Sequence, residues 1–336
     1  MTSMQVNYDM GGLRMTRQVK AASVSVISNT LLLIVKLVVG LLSGSVAVLS
    51  AAADSLNDLT ASVIALLSVR ASGRPADTEH PYGHGKIENI SAAVQALLIF
   101  TAAGFIVYEA IQKILKPEPL LAPVAGMAVM AITAVVDVFV SRYLLKVACE
   151  TDSSAMRANA FHLTTDVWTA IGVFVTLGLV EITKIQLLDP IVALIVAAAI
   201  IRVAITLTLE ATGVLIDARL PEDELRKIEE IVMKTPRVVG FHKLRTRRSG
   251  PYRNIDYHLI VPGCMPVIDA HKLTEQIESA IQRCLPHATV VTHIEPDQLT
   301  ETTKPDTSLR SRMPARRPRV RRPYTLRGFR RPPHRH

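Results

Sequence analysis

Residues 51–62 read Ala-Ala-Ala-Asp-Ser-Leu-Asn-Asp-Leu-Thr-Ala-Ser, and they place two carboxylates, Asp54 and Asp58, inside a stretch that is otherwise apolar enough for a membrane helix. Four residues apart on a helix, the two side chains lie on the same face about one turn from each other. Like charges this close in a medium of low dielectric constant repel each other unless a cation lies between them. The stretch therefore predicts a membrane-spanning helix with a cation-binding face.

A second apolar stretch carries His162 and Asp166 at the same spacing. The two pairs together offer one imidazole nitrogen and three carboxylates, a set that suits a four-coordinate divalent transition metal. The alternative is that each residue is a polar group whose hydrogen bonds are satisfied inside a helix bundle. Two such pairs in two different helices favour the metal site.

The composition indicates a polytopic membrane protein with a soluble domain after it. Of the 336 residues, 49% are hydrophobic, the mean hydropathy is +0.30, and the long apolar blocks end near residue 215. The three cysteines lack Cys-x-x-Cys spacing, so neither a disulfide framework nor a zinc ribbon is predicted. We predict six spans, each long enough for a hydrocarbon core about 30 Å thick. They lie at residues 21–42, 46–68, 88–114, 121–147, 157–181 and 187–209.

The distribution of positive charge predicts the orientation of the spans. More Arg and Lys lie before the first span, in the second connector and at the edges of the fourth than near the first, third and fifth connectors. The first set is Arg14, Arg17, Lys20, Arg70, Arg74, Lys86, Lys146 and Arg157, and the second is Lys113, Lys116 and Lys184. Positively charged connectors stay in the cytoplasm. Because six spans return the chain to its starting side, both termini are predicted to be cytoplasmic.

The connector between the second and third spans holds three potential metal ligands, Asp77, His80 and His84, within eight residues. Its glycines and prolines allow a tight fold. Taken alone, such a cluster occurs as readily in a solvated loop as in a metal site. Its place at the cytoplasmic mouth of the predicted metal path favours a second metal site.

After the last span the pattern changes to that of a small soluble domain. Helices are predicted at residues 221–234 and 267–284, and strands at 238–247, 254–261 and 289–295. The order αββαβ predicts a ferredoxin-like layer of helices on a sheet. Potential ligands are again concentrated there, although a lone histidine on such a domain is most often a surface residue. They are His242, His258, His271, His293 and Glu295.

Four motifs occur in a fixed order: Asp54-Ser-Leu-Asn-Asp58, the loop of residues 75–86, His162-Leu-Thr-Thr-Asp166, and Leu-Arg-Thr-Arg-Arg-Ser-Gly at residues 244–250. With them, the chain resembles the cation diffusion facilitator family over nearly its whole length, from residue 19 to residue 296, and most of all the bacterial zinc and ferrous-iron exporters of that family. The resemblance implies a homodimer of six-helix protomers that exchanges cytosolic divalent metal for protons across the bacterial inner membrane.

The resemblance also assigns roles to residues. It implies a transport site at Asp54, Asp58, His162 and Asp166; a loop site at Asp77, His80 and His84; a cytoplasmic site at His242, His258, His271, His293 and Glu295; and a charge interlock between Lys86 and Asp217. Glu295 departs from the pattern, because the relatives have an aspartate there. Its longer side chain could shift or weaken a bridge between metal ions.

The Asp-Asp plus His-Asp set resembles the zinc and iron branch of the family, whereas the manganese branch usually has a carboxylate in place of the histidine. The expected substrate is therefore Zn²⁺, with Fe²⁺ or Cd²⁺ as alternatives, and no organic cofactor is expected. Two other functions remain open. A membrane metallohydrolase would usually have a His-Glu-x-x-His helix, which is absent. A metal sensor or scaffold would keep the sites without transport.

Two charged residues in the spans lie outside or across the family pattern. Asp137 in the fourth span is either a proton carrier or the partner of a neighbouring helix. Lys36 in the first span is long enough either to reach the membrane surface or to neutralise a carboxylate.

The last part of the chain is rich in Arg and Pro. Residues 302–336 have a net charge of +11, whereas the whole chain has +9. Such a segment cannot bury a core and is predicted to be disordered and to contact anionic lipid head groups. RNA is a weaker alternative because there is little aromatic interleaving, and no specific nucleic acid is expected.

The predicted fold is thus an all-α membrane domain of six helices joined to a small α+β cytoplasmic domain. The predicted parts are an N-terminal cytoplasmic segment at residues 1–20, the membrane domain at 21–210, the ferredoxin-like domain at 211–297 and the disordered tail at 298–336.

Overall fold

Six long helices are followed by a small domain of two helices and three strands in the computed structural model, which describes residues 2–43, 46–116, 124–183, 185 and 187–297. In chain order the elements are α1 Thr2–Ser43, α2 Val46–Ser72, α3 Ile87–Leu115, α4 Val124–Thr151, α5 Ser154–Thr183, α6 Leu188–Leu215, α7 Glu222–Lys234, β1 Gly240–Ser249, β2 Tyr252–Val261, α8 Val267–Cys284 and β3 Ala288–Pro296. Each of α1 to α6 contains a segment long and apolar enough to cross a membrane. The predicted fold class is confirmed.

The membrane helices extend past the predicted span ends, and α1 and α6 do so furthest. The apolar segment of α1 is Arg17–Leu42, but the helix begins at Thr2, within the segment predicted to precede it. Helix α6 continues past the predicted end at residue 209 to Leu215, so the predicted domain boundary at 210 lies inside a helix. Hydropathy reports where a chain leaves the membrane, whereas a helix ends only where its backbone is interrupted. The start of the predicted fourth span, residues 121–123, and the predicted tail, residues 298–336, lie outside the described residues.

Among the described residues, the membrane helices pack through two larger apolar cores and a small third cluster of Ala92, Ala158 and Ala211. One core is shared by α1, α2, α4 and α5, and the other is formed mainly between α3 and α6. Both contain fully buried alanines, including Ala21 and Ala160 in the first core and Ala96 and Ala204 in the second. Small side chains allow membrane helices to approach closely, because apolar burial alone does not drive helices together in lipid. This packing holds α2 and α5, which carry the predicted metal ligands, against each other.

The C-terminal domain is a three-stranded sheet with both helices on one face. The strand order is β1-β2-β3, with β1 antiparallel and β3 parallel to β2. Along β2, Ile255, Tyr257 and Leu259 are buried beneath α7 and α8. Because side chains alternate along a strand, His258 lies on the opposite face, away from both helices. The predicted αββαβ order is therefore correct, and none of the helices within residues 187–297 covers the other face of the sheet.

Candidate metal-transport site

Three of the predicted membrane ligands lie together between α2 and α5. One oxygen of Asp58, one ring nitrogen of His162 and one oxygen of Asp166 lie within 4.8 Å of one another. The Asp58 Oδ1 to His162 Nε2 distance is 3.3 Å. Because His162 and Asp166 are four residues apart on α5, both side chains face the same turn of α2. Two carboxylates and an imidazole thus converge inside the membrane domain.

The cluster contains polar atoms that protein groups do not satisfy. Among the described residues, both ring nitrogens of His162 and Oδ2 of Asp166 are buried without a hydrogen-bond partner. The 3.3 Å approach of Asp58 to His162 lacks the angle of a hydrogen bond. Buried polar atoms are nearly always paired, so an unpaired group needs an explanation such as a bound ion. A divalent cation between these side chains would bind one ring nitrogen of His162 and an oxygen of Asp166, since carboxylates and imidazole are its usual ligands.

Asp54 is not brought into the three-residue cluster. It lies one turn before Asp58 on α2, but its side chain is exposed, and the compact ligand group does not include it. The i, i+4 spacing predicts that two side chains share a face; it does not fix the distance between their oxygens. The structure therefore places three of the four predicted transport-site residues together.

A buried polar cluster lies immediately beside the three ligands. Ser25 and Asn29 of α1, Ser62 of α2 and Asn159 of α5 are each at most 2% exposed. Asn29 donates to Ser62 Oγ (2.7 Å) and to the backbone carbonyl of Asp58 (3.2 Å). Asn159 donates to Ser25 Oγ (3.0 Å), and the Ser25 and Ser62 hydroxyls are 2.9 Å apart. These bonds join three helices on the side of Asp58, His162 and Asp166 that faces the C-terminal domain.

Lys36 and Asp137 also lie in the interior. Lys36 is 6% exposed and donates to Ser55 Oγ, so it does not reach the membrane surface. Asp137 of α4 is 3% exposed and interacts electrostatically with Asp58 and His162. The two charges left unassigned by the sequence therefore surround the same site.

The predicted loop residues also form a compact group. Asp77, His80 and His84 each offer a ligand atom, and these atoms lie within 4.8 Å of one another. Asp77 Oδ1 is 3.2 Å from His80 Nδ1, and Asp77 Oδ2 is 3.3 Å from His84 Nε2. The backbone N–H of His80 donates to Asp77 (2.6 Å), and this bond lowers the pKa of Asp77 below its usual value. The carboxylate is therefore kept ionised next to the two imidazoles, as a metal ligand must be.

In the C-terminal domain, three histidines form a row across the helix-free face of the sheet. His242 pairs with His258, and His258 pairs with His293, on neighbouring strands. Glu295 lies beside the row, 3.0 Å from His242 Nε2 and 2.6 Å from His258 Nδ1. The hydrogen bond with His258 is the main cause of a lowered pKa at Glu295. The longer side chain of Glu295 thus reaches both imidazoles.

His293 and His271 differ in their relation to this group. His293 is exposed, and its Nε2 lies 4.0 Å from Glu295, at the edge of the compact group formed by His242, His258 and Glu295. His271 is exposed on α8, where it lies 3.5 Å from Glu275. Because α8 covers the opposite face of the sheet, His271 is separated from the row within this chain. The prediction that it joins the other histidines is not met by the protomer.

Comparison with known proteins identifies the family. Residues 22–216 match the family described as the cation efflux transmembrane domain, and residues 220–297 match the cytoplasmic domain of cation efflux proteins. The chain belongs to the cation diffusion facilitator family. The resemblance stated from the sequence motifs is thereby confirmed.

Full-length relatives of this family are similar over most of the chain. The cation-efflux pump FieF of Cronobacter sakazakii is 37% identical over 291 residues, which are 87% of this chain and 95% of the relative. FieF of Citrobacter koseri is 37% identical over 277 residues, which are 82% of this chain and 92% of the relative. The metal-bound C-terminal domain of the CzcD transporter from Thermotoga maritima is 30% identical and covers 23% of this chain and 93% of that domain, with a TM-score of 0.22. The protein is a multi-pass cation-efflux transporter.

The two domains of the cation-efflux chain meet at a close backbone contact. Gly250, between β1 and β2, has φ +57°, and a Cβ there would lie 2.6 Å from the carbonyl oxygen of Gly85. The Gly250 N–H donates to Asn89 Oδ1 (3.3 Å). Lys86 donates to Asp217 (2.8 Å), which is the main cause of the lowered pKa of Asp217. The predicted Lys86–Asp217 pair is thus in contact, directly beside the loop that carries His84.

Two buried charges at this junction are absent from the sequence predictions. Arg253 of β2 contacts Glu224 of α7 at 2.8 Å and Asp152, between α4 and α5, at 3.2 Å. Glu88 is fully buried at the start of α3, where it accepts from Ser72 and Ser153 at the ends of two other helices. An acid at the first turn of a helix was the available signal for Glu88. No local pattern connects Arg253 with its partners.

Proposed function

We propose that this transporter exports a divalent transition metal, Zn²⁺ first and Fe²⁺ or Cd²⁺ as alternatives, from the bacterial cytoplasm in exchange for protons. The observation that carries the proposal is the convergence of Asp58, His162 and Asp166 between two membrane helices, with buried ligand atoms that no described residue satisfies. Asp54, one turn away, is proposed to complete a four-coordinate site when a rotation of its side chain brings it in.

The same donor atoms provide the proposed coupling to protons. Carboxylate and imidazole groups bind metal only when they are deprotonated. Protons that reach the site from the far side of the membrane displace the ion, and their release toward the cytoplasm restores the site. The mixture of nitrogen and oxygen donors favours zinc, iron and cadmium over magnesium or calcium, which prefer oxygen alone.

The two other clusters are proposed to have supporting roles. Asp77, His80 and His84 lie in the loop that follows α2, and we propose that they hold metal near the cytoplasmic entrance. The compact group of His242, His258 and Glu295, with His293 at its edge, is proposed as a regulatory site. Metal bound there would stabilise one arrangement of two cytoplasmic domains and so link the cytosolic metal concentration to transport.

The assembly and placement are part of the same proposal. We propose a homodimer in the inner membrane with both termini in the cytoplasm, supported by the positive charges of the N-terminal segment and the even number of spans. The Lys86–Asp217 pair is proposed as an interlock between the two domains. Contact of the basic tail with anionic lipids stays a prediction from its composition.

Zinc flux in proteoliposomes tests this function. With the protein reconstituted, zinc movement is followed by an enclosed fluorescent indicator under imposed pH gradients of either direction. We expect zinc to move faster when the imposed pH gradient drives protons across the membrane in the opposite direction. The direction of zinc movement should change when the pH gradient is reversed. Zinc movement should be lost when a protonophore collapses the pH gradient. Zinc binding without gradient-dependent flux would instead identify a sensor or scaffold. Parallel assays with cadmium, ferrous iron, cobalt and manganese give the order of preference.

A further inference from the structure

Lys36 is a buried ammonium beside the membrane site. It is 6% exposed, and its Nζ donates to Ser55 Oγ at 2.5 Å. Ser55 lies on α2 between Asp54 and Asp58. In the part of the chain that the structure describes, no carboxylate oxygen lies within the 4.0 Å of an ion pair with this ammonium. The charge is thus held near the ligands by a neutral hydroxyl.

Several carboxylates share the field of this ammonium. Lys36 interacts electrostatically with Asp54 of α2, Asp137 of α4 and Asp166 of α5. A charged residue inside a membrane domain is costly and persists where other charges compensate it. Here the compensation comes from a group of carboxylates around the site, and two of them are predicted metal ligands. Lys36 and a divalent ion therefore interact with the same negative charges.

The position of Lys36 along α1 places it opposite the polar cluster. Ser25 and Asn29, earlier on α1, contact Ser62, which lies beyond Asp58 toward the C-terminal domain. Lys36 instead contacts Ser55, which precedes Asp58 and lies further from that domain. The three-residue metal cluster thus has neutral hydrogen-bonding groups on one side and a fixed positive charge on the other.

We propose that Lys36 is a resident positive charge that competes with the transported ion for the carboxylates of the membrane site and so lowers its affinity for metal. This inference rests on the proposed transport function. A carrier must release its ion on every cycle, and a site with several carboxylates and an imidazole in a low dielectric medium would otherwise hold a divalent ion tightly. In general, a unit charge on the order of 10 Å from a divalent ion, at an effective dielectric constant of about 20, changes the Kd of the ion by on the order of 100-fold.

Zinc binding to three variants of the full-length protein tests the proposal. Lys36→Met keeps the length of the side chain without the charge, Lys36→Gln keeps a donor for Ser55 without the charge, and Lys36→Arg keeps the charge. The Kd is measured by competition with a chromophoric zinc chelator, and the membrane-site component is defined by its loss in Asp166→Ala. We expect Lys36→Met and Lys36→Gln to bind zinc at least about tenfold more tightly, and Lys36→Arg to stay within about twofold of the wild type.

Flux measurements give a second readout. Tighter binding lowers the zinc concentration at half-maximal flux and also lowers the maximal rate, because release becomes slower. Disruption of the packing around Lys36 would instead weaken binding, so a purely structural role moves the Kd in the opposite direction. A decrease in both the half-maximal zinc concentration and the maximal rate therefore indicates loss of the positive charge and not loss of packing.

Each possible result of these measurements supports or overturns the proposed role of Lys36. If Asp166→Ala leaves the zinc stoichiometry unchanged, the proposed transport site is wrong and the role of Lys36 falls with it. If Asp166→Ala removes bound zinc but Lys36→Met and Lys36→Gln bind zinc no more tightly than the wild type, only the role of Lys36 is wrong. The same conclusion follows if Lys36→Arg tightens binding as much as the neutral variants do. Should Lys36→Met fail to fold, Lys36→Gln alone decides between these results.

Discussion

Replacing Arg253 with Met should loosen the cytoplasmic domain far more than replacing its partner in the membrane domain. The Arg253 side chain is 6% exposed, and its guanidinium contacts Glu224 through two nitrogens, at 2.8 and 2.9 Å. The same group contacts Asp152 at 3.2 Å and so joins the sheet, α7 and the connection between α4 and α5. Removal of the guanidinium leaves the Glu224 carboxylate only its contact with Arg248, which lies 3.2 Å away and is 25% exposed, so the expected cost is at the lower end of the range for a broken buried pair.

The burial of the Arg253–Glu224 ion pair determines how much Arg253→Met should lower the free energy of unfolding. Breaking a buried ion pair by removing one partner costs about 3–5 kcal/mol, because an uncompensated charge stays behind. The Glu224 side chain is 11% exposed, so we expect Arg253→Met to lower the free energy of unfolding of this domain by about 3 kcal/mol. The Asp152 side chain is 29% exposed, and Asp152→Asn should cost no more than about 1 kcal/mol.

Amide hydrogen exchange in β2 of the full-length protein measures this free energy locally, without a contribution from the membrane helices. We expect exchange on the order of 100-fold faster in Arg253→Met and less than about tenfold faster in Asp152→Asn. The double variant Arg253→Met with Glu224→Gln should recover part of the loss, because no buried charge remains. Equal exchange rates in the wild type and Arg253→Met would show that the Arg253–Glu224 ion pair does not stabilise this domain.

Three further predictions concern other contacts. Gly250→Ala should separate the two domains, because residue 250 has φ +57° and the new methyl group would lie 2.6 Å from a carbonyl oxygen. Limited proteolysis would detect the separation. Gly240→Ala is the control that should behave like the wild type, since the nearest atom to its new methyl group is 3.9 Å away. The double change His258→Ala with His293→Ala should reduce the number of zinc ions bound per chain but only part of the flux at saturating zinc, and complete inactivity would contradict the regulatory role. The pKa of Asp217 is lowered by the ammonium that donates to it, so its stabilising contribution is complete above the ordinary aspartate pKa of about 4 and is lost as the pH falls through the lowered value. The protection factors of amides in the loop after α2, which are exchange rates corrected for the intrinsic pH dependence, should therefore fall only below about pH 4, and Asp217→Asn should remove that pH dependence.

Much of the fold and the ligand sets could be predicted because their signals are local. Apolar length predicts the spans, and period-two alternation predicts which residues of a strand share a face. The spacing of His162 and Asp166 on one helix indicates that they face the same neighbour. These signals require only a few consecutive residues.

The remaining features depend on contacts between distant parts of the chain. The sequence left two possibilities for Lys36, and burial against Ser55 of another helix decides between them. Strand alternation does not reveal which sheet face a helix covers, so it could not show that His271 is separated from His258 within the chain. Arg253 meets Glu224 and Asp152 only after both domains have folded. Such contacts have no periodic signature.

The proposed transport function depends on Asp58, His162 and Asp166, and zinc flux through Asp166→Ala in proteoliposomes is its sharpest test. The matched control is Glu210→Gln, which removes a carboxylate from α6 that is 54% exposed and lies 3.6 Å from Arg157. We predict that Asp166→Ala folds normally but transports no zinc at any concentration, while Glu210→Gln transports at the wild-type rate. Substantial zinc flux through Asp166→Ala would contradict the account.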